Sequence, residues 1–260
     1  ALSGAEIVIH LAARVHVMKD RAVDPLAEFR RVNTDGTLRL AEQAVAAGVK
    51  RFIFLSTTKV TGELSPPSGF SETDPARPED GYGVSKWEAE QALLEISKTT
   101  SMEVVILRPP LVYGPGVKGN FLTLLKAVDR GTVLPLGAIQ NQRSLIYVGN
   151  LADVIVTATT HADAANQTFF VSDEGTVSTT SLIENIAASL NKKPRLINLP
   201  PGLLKFAGAL TGKSGAIQRL IGSLTVDSGK IRSLLNWRPP FTMTEGLKLT
   251  ADWWRSVKNK

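Results

Sequence analysis

Short runs of β-branched and aromatic residues alternate along this chain with longer stretches in which apolar residues recur every three or four positions. The short runs predict strands, near residues 6–12, 51–56, 103–108 and 167–171. The longer stretches predict helices, over 24–47, 81–98, 119–130, 150–161 and 179–190. This alternation is typical of a parallel sheet with helical crossovers, so we expect an α/β fold.

Individual residues predict some helix ends. Gly48 fits a C-cap and Asn150 an N-cap. Beyond residue 172 the pattern changes to short helices separated by Pro and Gly, and it ends in an amphipathic stretch from Met243 to Val257. The stretch from Leu199 to Gly222 is apolar but interrupted by charged residues, so we expect a helix packed over a ligand site, with contact to a membrane surface as the alternative.

Composition excludes several classes of protein. At 260 residues, 43% hydrophobic and 21% charged, the chain is typical of a globular protein with one core or two small ones. The net charge of +6 comes from scattered lysines and arginines, so we expect no nucleic-acid partner. The absence of cysteine and the presence of only three histidines argue against a metal site and are compatible with the cytoplasm. No apolar run has the length of a membrane span.

Tyr82 and Lys86 place a phenol and an amine one helical turn apart. The ordinary pKa of tyrosine, near 10, is too high for a base at neutral pH. An ammonium group one turn away is expected to lower that pKa. Earlier in the chain, a predicted buried strand begins at Arg51 and ends in the hydroxyl cluster of residues 56–58.

A strand, a hydroxyl cluster and Tyr-x-x-x-Lys in this order resemble an extended short-chain dehydrogenase/reductase of the nucleotide-sugar epimerase and dehydratase group. Further segments from the first residues to the last helix resemble the same family: 7–13, 32–38, 107–115, 143–148 and 235–240. The resemblance implies a Rossmann-like parallel sheet with a smaller, mostly helical substrate domain. It implies NAD as cofactor, with NADP as an open alternative.

The resemblance also implies chemical roles. Tyr82 would exchange a proton with a sugar hydroxyl, Lys86 would lower the pKa of Tyr82 and hold the nicotinamide ribose, and Thr57 would bind the reacting oxygen. Ser56 and Thr58 are alternatives to Thr57, and alternation along the strand implies that only one of Ser56 and Thr57 faces the substrate. A structural role for Thr57 in closing the turn is the other alternative.

Four residues would contact the cofactor in addition to Tyr82 and Lys86. Leu11, Ala12 and Ala13 are small or apolar, as backbone beside a flat cofactor requires, although a buried strand would look the same. Pro110 matches a position near the nicotinamide. The neighbouring Leu111 stands where many epimerases carry Asn, which weakens a strict hexose-epimerase assignment.

Three residues match positions that contact a UDP-sugar substrate. Asn120 lies at a helix start that would contact the diphosphate. Arg143 offers a guanidinium fork that can pair with phosphate, and an exposed surface charge is the alternative. Leu136 belongs to a short extended segment that would flank the uracil.

The family's glycine-rich Gly-x-x-Gly-x-x-Gly turn, which seats the cofactor pyrophosphate, has no counterpart before Ala1. The first strand here resembles the family's fourth, so roughly 60 residues would normally precede it. We therefore expect an N-terminally truncated dinucleotide fold, and cofactor binding by this piece is an open question.

The resemblance divides the chain into two domains. Residues 1–113 and 148–171 would form the incomplete dinucleotide-binding domain, and residues 114–147 and 172–260 the substrate domain. The family also implies a homodimer.

The first functional hypothesis is hydride transfer at C4 of a UDP-hexose or UDP-N-acetylhexosamine by a 4-epimerase. The alternatives are a reductase of a UDP-4-keto-6-deoxy sugar and a non-catalytic nucleotide binder. A dehydratase is disfavoured, because Thr58 and Lys59 occupy the places of its acidic pair.

Overall fold

The computed structural model describes residues 2–15, 22–212 and 214–258. Its main sheet has four parallel strands in the order β1-β2-β3-β6. These strands are β1 (Ile7–His10), β2 (Arg51–Leu55), β3 (Glu103–Arg108) and β6 (Thr168–Phe170). The predicted parallel α/β architecture is confirmed, and each strand falls within or beside its predicted range.

A second, two-stranded parallel sheet was not predicted. It pairs β4 (Leu111–Tyr113) with β5 (Leu145–Tyr147). Only Pro109 and Pro110 separate β4 from β3, so the chain passes directly from the main sheet into the smaller one. Each strand has three residues, which is too few for a periodic pattern of apolar and polar positions to be detected.

Ten α-helices are present in the described residues. They are α1 (Pro25–Phe29), α2 (Gly36–Ala46), α3 (Gly81–Thr99), α4 (Gly119–Asp129), α5 (Val148–Thr160), α6 (Thr179–Ser189), α7 (Pro201–Leu210), α8 (Ser214–Ile221), α9 (Gly229–Leu235) and α10 (Met243–Val257). A π-helical segment, Arg30–Asp35, joins α1 to α2, so the single helix predicted over 24–47 has a wide turn in its middle.

One helix-end prediction is confirmed and the other is wrong. Gly48 follows the end of α2 with a φ of +77°, a left-handed conformation that glycine adopts without strain. Asn150 does not cap α5, because the helix already begins at Val148. Its side chain instead donates to Asp173 and to the carbonyl of Phe241, at 2.7 and 2.9 Å.

Apolar side chains on the two faces of the main sheet form separate clusters. Phe52 and Phe54 point to one face, against α2 and α3. Ile53 points to the other face, toward α5 and α9. This is the alternation expected of a strand buried on both sides. A third cluster surrounds the small sheet and joins α4, α6 and α10.

A buried carboxylate, Asp173, ties the small sheet to α5. It accepts hydrogen bonds from the Tyr113 hydroxyl at 2.8 Å, the Tyr147 amide at 2.9 Å and the Asn150 side chain at 2.7 Å. The division into two domains remains a proposal. Residues of the C-terminal part also pack on the main sheet, since α9 shares the apolar cluster of α5.

Candidate active site

The N-terminus of α3 approaches the turn after β2 at very short distance. Asp80 caps the helix by accepting a hydrogen bond from the Gly83 amide at 2.7 Å. Gly83 is buried, and a β-carbon at this position would lie 2.8 Å from the carbonyl oxygen of Lys59. Glycine at position 83 therefore lets the first turn of α3, which carries Tyr82, lie against the segment that carries Thr57.

Thr57 contacts both the proposed acid/base and its own turn. Its side chain lies near enough to the Tyr82 hydroxyl to lower the pKa of Tyr82. Its hydroxyl also accepts from the Lys59 amide at 3.3 Å, so the structural role considered for it coexists with a place in the site. The neighbouring Ser56 hydroxyl is buried and has no hydrogen-bond partner within the described part of the chain. Of the three hydroxyl residues, Thr57 is the one whose side chain acts on the pKa of Tyr82.

The pKa of Tyr82 departs from its ordinary value in the direction opposite to the sequence prediction. Burial raises it to about 12, the negative charge of Asp80 adds to the rise, and the hydrogen bond with Thr57 opposes it. The prediction that Lys86 lowers this pKa is therefore wrong for the chain alone. The cost of burying a phenolate exceeds the benefit of a cation one turn away.

Lys86 is buried on the same face of α3 as Tyr82. Its ammonium nitrogen lies 3.7 Å from the centre of the Phe54 ring, a cation–π contact. Burial lowers the pKa of Lys86 to about 7, and the negative charge of Glu90 opposes this shift. The ammonium makes no ion pair with any described residue, so its three donors can serve a ligand.

A chain of hydrogen bonds that the sequence did not reveal surrounds Lys86 and Tyr82. His10 stacks on Phe54 and shares a 2.9 Å hydrogen bond with the Thr37 hydroxyl. Burial, followed by the charge of Lys86, lowers the pKa of His10 to about 4, so the imidazole is neutral at pH 7. A half-buried neutral ring therefore lies near the buried amine.

Asn33, in the π-helical segment, joins the loop after β1 to α3. Its side chain accepts from the Arg14 amide at 2.7 Å and donates to the Arg14 carbonyl at 3.1 Å and the Ser85 hydroxyl at 3.0 Å. The Ser85 hydroxyl in turn donates to the carbonyl of Tyr82 at 2.9 Å. The sequence signal for this network is an Asn within a predicted helix, because a buried Asn needs polar partners.

The predicted cofactor residues divide by exposure. Leu11 and Ala12 are exposed, Ala13 is half-buried, and Pro110, which follows β3, is buried. Leu11, 53% exposed, extends the carboxyl end of β1 and offers an apolar surface. Ligands of parallel α/β sheets bind at this end of the strands.

These features fit a dinucleotide. Apolar Leu11 and Ala12 are accessible to a flat ring system, and the buried ammonium of Lys86 has donors available for ribose hydroxyls. The glycine-rich turn that would hold the pyrophosphate is not among the residues of this sequence.

The predicted substrate residues lie in the C-terminal part of the chain in different environments. Asn120 is exposed in the first turn of α4. Leu136 is buried in the third apolar cluster, and its carbonyl accepts from the Thr180 hydroxyl at 2.6 Å. The side chain of Leu136 therefore serves packing, and only its backbone segment remains as a candidate for contact with uracil.

Arg143 is half-buried and holds the end of α8. One of its terminal nitrogens, Nη1, donates to the carbonyls of Arg219 and Gly222 at 2.7 and 3.0 Å. Burial lowers its pKa, and it forms no ion pair with any carboxylate of the described residues. An arginine without a carboxylate partner retains its charge for an anionic ligand.

A cleft of about 440 Å³ opens next to these carbonyls. Its lining consists of Leu64, Pro201, Lys205, Ser214, Gln218, Ile221 and Gly222. Residues of α7 and α8 therefore form most of the wall, beside the Gly222 carbonyl that Arg143 contacts. The expected helical stretch is present as α7 and α8, and its place over a substrate site stays a prediction.

Lys59 carries a cation where a dehydratase would carry an acid. It pairs with Glu63 at 2.9 Å and with Asp80. Burial lowers the pKa of Lys59, but the hydrogen bonds to the two carboxylates outweigh that effect and the net shift is upward. A lysine held cationic at this position cannot supply the carboxylate that water elimination requires.

Comparison with known proteins agrees with this geometry. The pattern of the NAD dependent epimerase/dehydratase family matches residues 1–171. A UDP-glucose 4-epimerase of Vibrio cholerae is 47% identical over 263 residues, which include 100% of this chain and 80% of the relative. The chain belongs to the NAD dependent epimerase/dehydratase family. The resemblance drawn from the sequence motifs is thereby confirmed, and NAD is the cofactor of this family.

Two further relatives of this family member extend the comparison. An Escherichia coli O157:H7 protein, N-acetyl-α-D-glucosaminyl-diphospho-ditrans,octacis-undecaprenol 4-epimerase, is 29% identical over 97% of this chain and 78% of its own length. The structure of a UDP-glucose 4-epimerase from Thermotoga maritima with UDP-glucose superposes with a TM-score of 0.75 at 25% identity. It aligns with 97% of this chain, which spans 78% of that structure.

Proposed function

We propose that this protein is a 4-epimerase that inverts C4 of a UDP-hexose or UDP-N-acetylhexosamine by NAD-dependent hydride transfer. The observation that carries the proposal is that Thr57, Tyr82 and Lys86 lie near one another at one end of the parallel sheet. The first turn of α3, which carries Tyr82, lies against the turn that follows Thr57, and Lys86 lies buried one turn along the same helix. The Vibrio cholerae relative, 47% identical, supports the choice of an epimerase within the family.

In the proposed reaction, Tyr82 exchanges a proton with the 4-hydroxyl of the sugar while Thr57 holds the same oxygen. With a pKa of about 12, Tyr82 carries its proton at neutral pH and can donate it to a developing alkoxide. To accept a proton, Tyr82 needs a lower pKa, which a positive charge beside the phenol provides. NAD, when bound, would supply the hydride acceptor and, in its oxidised form, a positive charge on the nicotinamide ring.

We propose that Lys86 holds the ribose hydroxyls of the cofactor with its ammonium group, while Leu11, Ala12, Ala13 and Pro110 form the apolar surface beside the ring. The buried position of Lys86 favours this role, since each hydrogen bond formed with a ligand would compensate for lost hydration of the charge.

For the substrate, we propose that Arg143 and Asn120 bind the diphosphate and that the backbone around Leu136 flanks the uracil. The lack of a carboxylate partner for Arg143 in the described residues supports the first assignment. The position of Asn120 in the first turn of α4 supports the second, because helix N-termini favour anions.

The test is incubation of the purified protein with NAD and either UDP-glucose or UDP-N-acetylglucosamine, followed by NMR analysis of the configuration at C4. The name of the Escherichia coli relative makes the N-acetylated sugar a necessary part of the panel. Inversion without added reductant would support an epimerase. Conversion of a 4-keto sugar with consumption of reduced cofactor would support the reductase, and ligand binding without turnover would support the non-catalytic binder.

We also propose a homodimer that acts in the cytoplasm without a nucleic-acid partner. The family resemblance implies a dimer contact through α3 and the long helix before it. Analytical ultracentrifugation tests this directly, because a monomer at micromolar concentration would contradict it.

A further inference from the structure

Helix α7 presents an apolar face to solvent. Leu203, Phe206 and Leu210 are 54%, 65% and 73% exposed. Since an α-helix turns about 100° per residue, these three side chains project within about 60° of one another. We refer to them as the α7 apolar face. Scattered exposed hydrophobic residues are normal, but three large ones on one helix face require an explanation.

The opposite side of α7 holds the helix on the protein. Leu204 and Gly208 are its buried residues. Gly208 lies so close to α8 that a β-carbon there would be 2.8 Å from the side chain of Ile217. Leu204 and Gly208 therefore hold the inner side of α7 against the protein and leave the α7 apolar face turned outward.

The chain around this face is basic. Between Glu184 and Asp227 it contains no acidic residue, and its charged side chains are those of Lys192, Lys193, Arg195, Lys205, Lys213 and Arg219. Lys192 pairs with Asp129 and Arg219 with Glu63. Lys193, Arg195 and Lys205 are exposed and form no ion pair with a described residue.

An apolar helix face within a basic stretch of chain is the combination that binds an anionic bilayer surface. Apolar side chains enter the boundary between headgroups and acyl chains, and lysine and arginine bind the headgroup phosphates. None of the described helices is both long and apolar enough to cross a bilayer. Attachment would therefore be peripheral.

We propose that this protein binds anionic lipid membranes through the α7 apolar face and the surrounding basic residues. This inference goes beyond the proposed function, since it concerns where the enzyme acts and needs no turnover. It has a consequence for substrate access. The helix that would lie on the bilayer also lines the cleft next to Arg143, so that cleft would open close to the membrane surface.

The experiment is flotation of the protein with phosphatidylcholine vesicles that contain or lack phosphatidylglycerol. We expect binding to the anionic vesicles, weakened by salt because headgroup attraction is screened. The double variant F206S/L210S should lower vesicle affinity by about tenfold or more. Both residues are exposed, so the variant should keep the circular dichroism spectrum and thermal midpoint of the parent protein.

Two matched controls isolate the surface. V156S/L249S removes two exposed apolar side chains, 64% and 40% exposed, from α5 and α10. It should bind vesicles like the parent protein. For the charges, K193E/R195E should weaken binding by about fivefold or more per residue. R39E/K248E, with the same change in net charge, should have a smaller effect.

Three results would overturn the proposal. The first is absence of parent-protein binding to phosphatidylglycerol vesicles at low salt. The second is equal loss of binding in F206S/L210S and V156S/L249S, which would show that the face is not specific. The third is a change of oligomeric state in F206S/L210S with no vesicle binding by the parent, which would make the face an interface with a second copy.

Discussion

Gly83 lies directly against the backbone of Lys59 at the candidate active site. A β-carbon on Gly83 would lie 2.8 Å from the carbonyl oxygen of Lys59. That distance is too short for two non-bonded atoms, so the backbone would have to move. The contact brings the first turn of α3 against the turn after β2. The position of Tyr82 near Thr57 depends on that approach.

Gly83→Ala should therefore lower both stability and turnover. We expect a loss of about 1–3 kcal/mol in the free energy of unfolding, as for other overpacked sites, because the helix must shift away from Lys59. Turnover should fall further than stability alone explains, since Tyr82 moves with the helix. Urea denaturation and steady-state kinetics measure the two effects.

Gly202→Ala is the matched control. Gly202 lies in α7, and a β-carbon there meets no atom within 4 Å. Alanine should raise helix stability by up to about 1 kcal/mol, because it restricts the unfolded chain. Equal effects of the two substitutions would contradict the role assigned to the Gly83 contact.

Tyr82→Phe should reduce turnover by about 10²- to 10⁴-fold, the usual contribution of a general acid/base. Affinity for the nucleotide should be retained, since the ring and its packing against Phe29 remain. Tyr113→Phe removes another tyrosine hydroxyl, the one bonded to Asp173. That control should lose stability and keep most of its turnover. Unchanged turnover in Tyr82→Phe would exclude Tyr82 as the proton carrier.

Lys86→Met should stabilise the protein in a pH-dependent way while abolishing activity. Burial lowers the pKa of Lys86 from 10.5 to about 7. Between these values the unfolded chain binds more protons than the folded one, so wild-type stability rises with pH across this window. The variant lacks this dependence. Its stability advantage should be on the order of a few kcal/mol at neutral pH and should shrink as the pH nears 10.

Urea denaturation of both proteins at neutral pH and near pH 10 measures that change. If the difference in the free energy of unfolding between the two proteins is the same at both pH values, the Lys86 ammonium is better solvated or better paired than its surroundings indicate.

Arg143→Lys should raise KM for the UDP-sugar by about tenfold or more with little change in kcat, because lysine keeps the charge but loses the fork that binds phosphate in two places. Arg130→Lys, at an exposed arginine that ends α4, is the matched control. A lower thermal midpoint with unchanged KM would instead limit Arg143 to holding the carbonyls that end α8.

Much of the fold could be predicted from sequence because its strands and long helices bury regular faces. Phe52, Ile53 and Phe54 show the pattern of a strand covered on both sides. Tyr82 and Lys86 are one helical turn apart, a spacing that brings the two side chains to the same face of α3. The family motifs in the sequence indicate Tyr82 and Lys86 as well.

The remaining features depend on contacts between distant segments. The pairing of β4 with β5 joins residues more than thirty positions apart, and three-residue strands leave no period to detect. Asn150 resembles a cap in sequence, but Asp173 and Phe241 determine its role. The pKa of Tyr82 was predicted in the wrong direction because the degree of its burial depends on packing that the local sequence does not encode.

The most direct test of the central claim uses UDP-glucose carrying deuterium at C4. In a 4-epimerase the same hydride leaves C4 and returns to it on the other face of the sugar. We therefore predict UDP-galactose that retains the deuterium at C4, with no loss to added cofactor, formed at least about a hundredfold more slowly when Tyr82 is replaced by Phe. Transfer of the deuterium to cofactor that is released into solution, or turnover without inversion at C4, would contradict the proposed reaction.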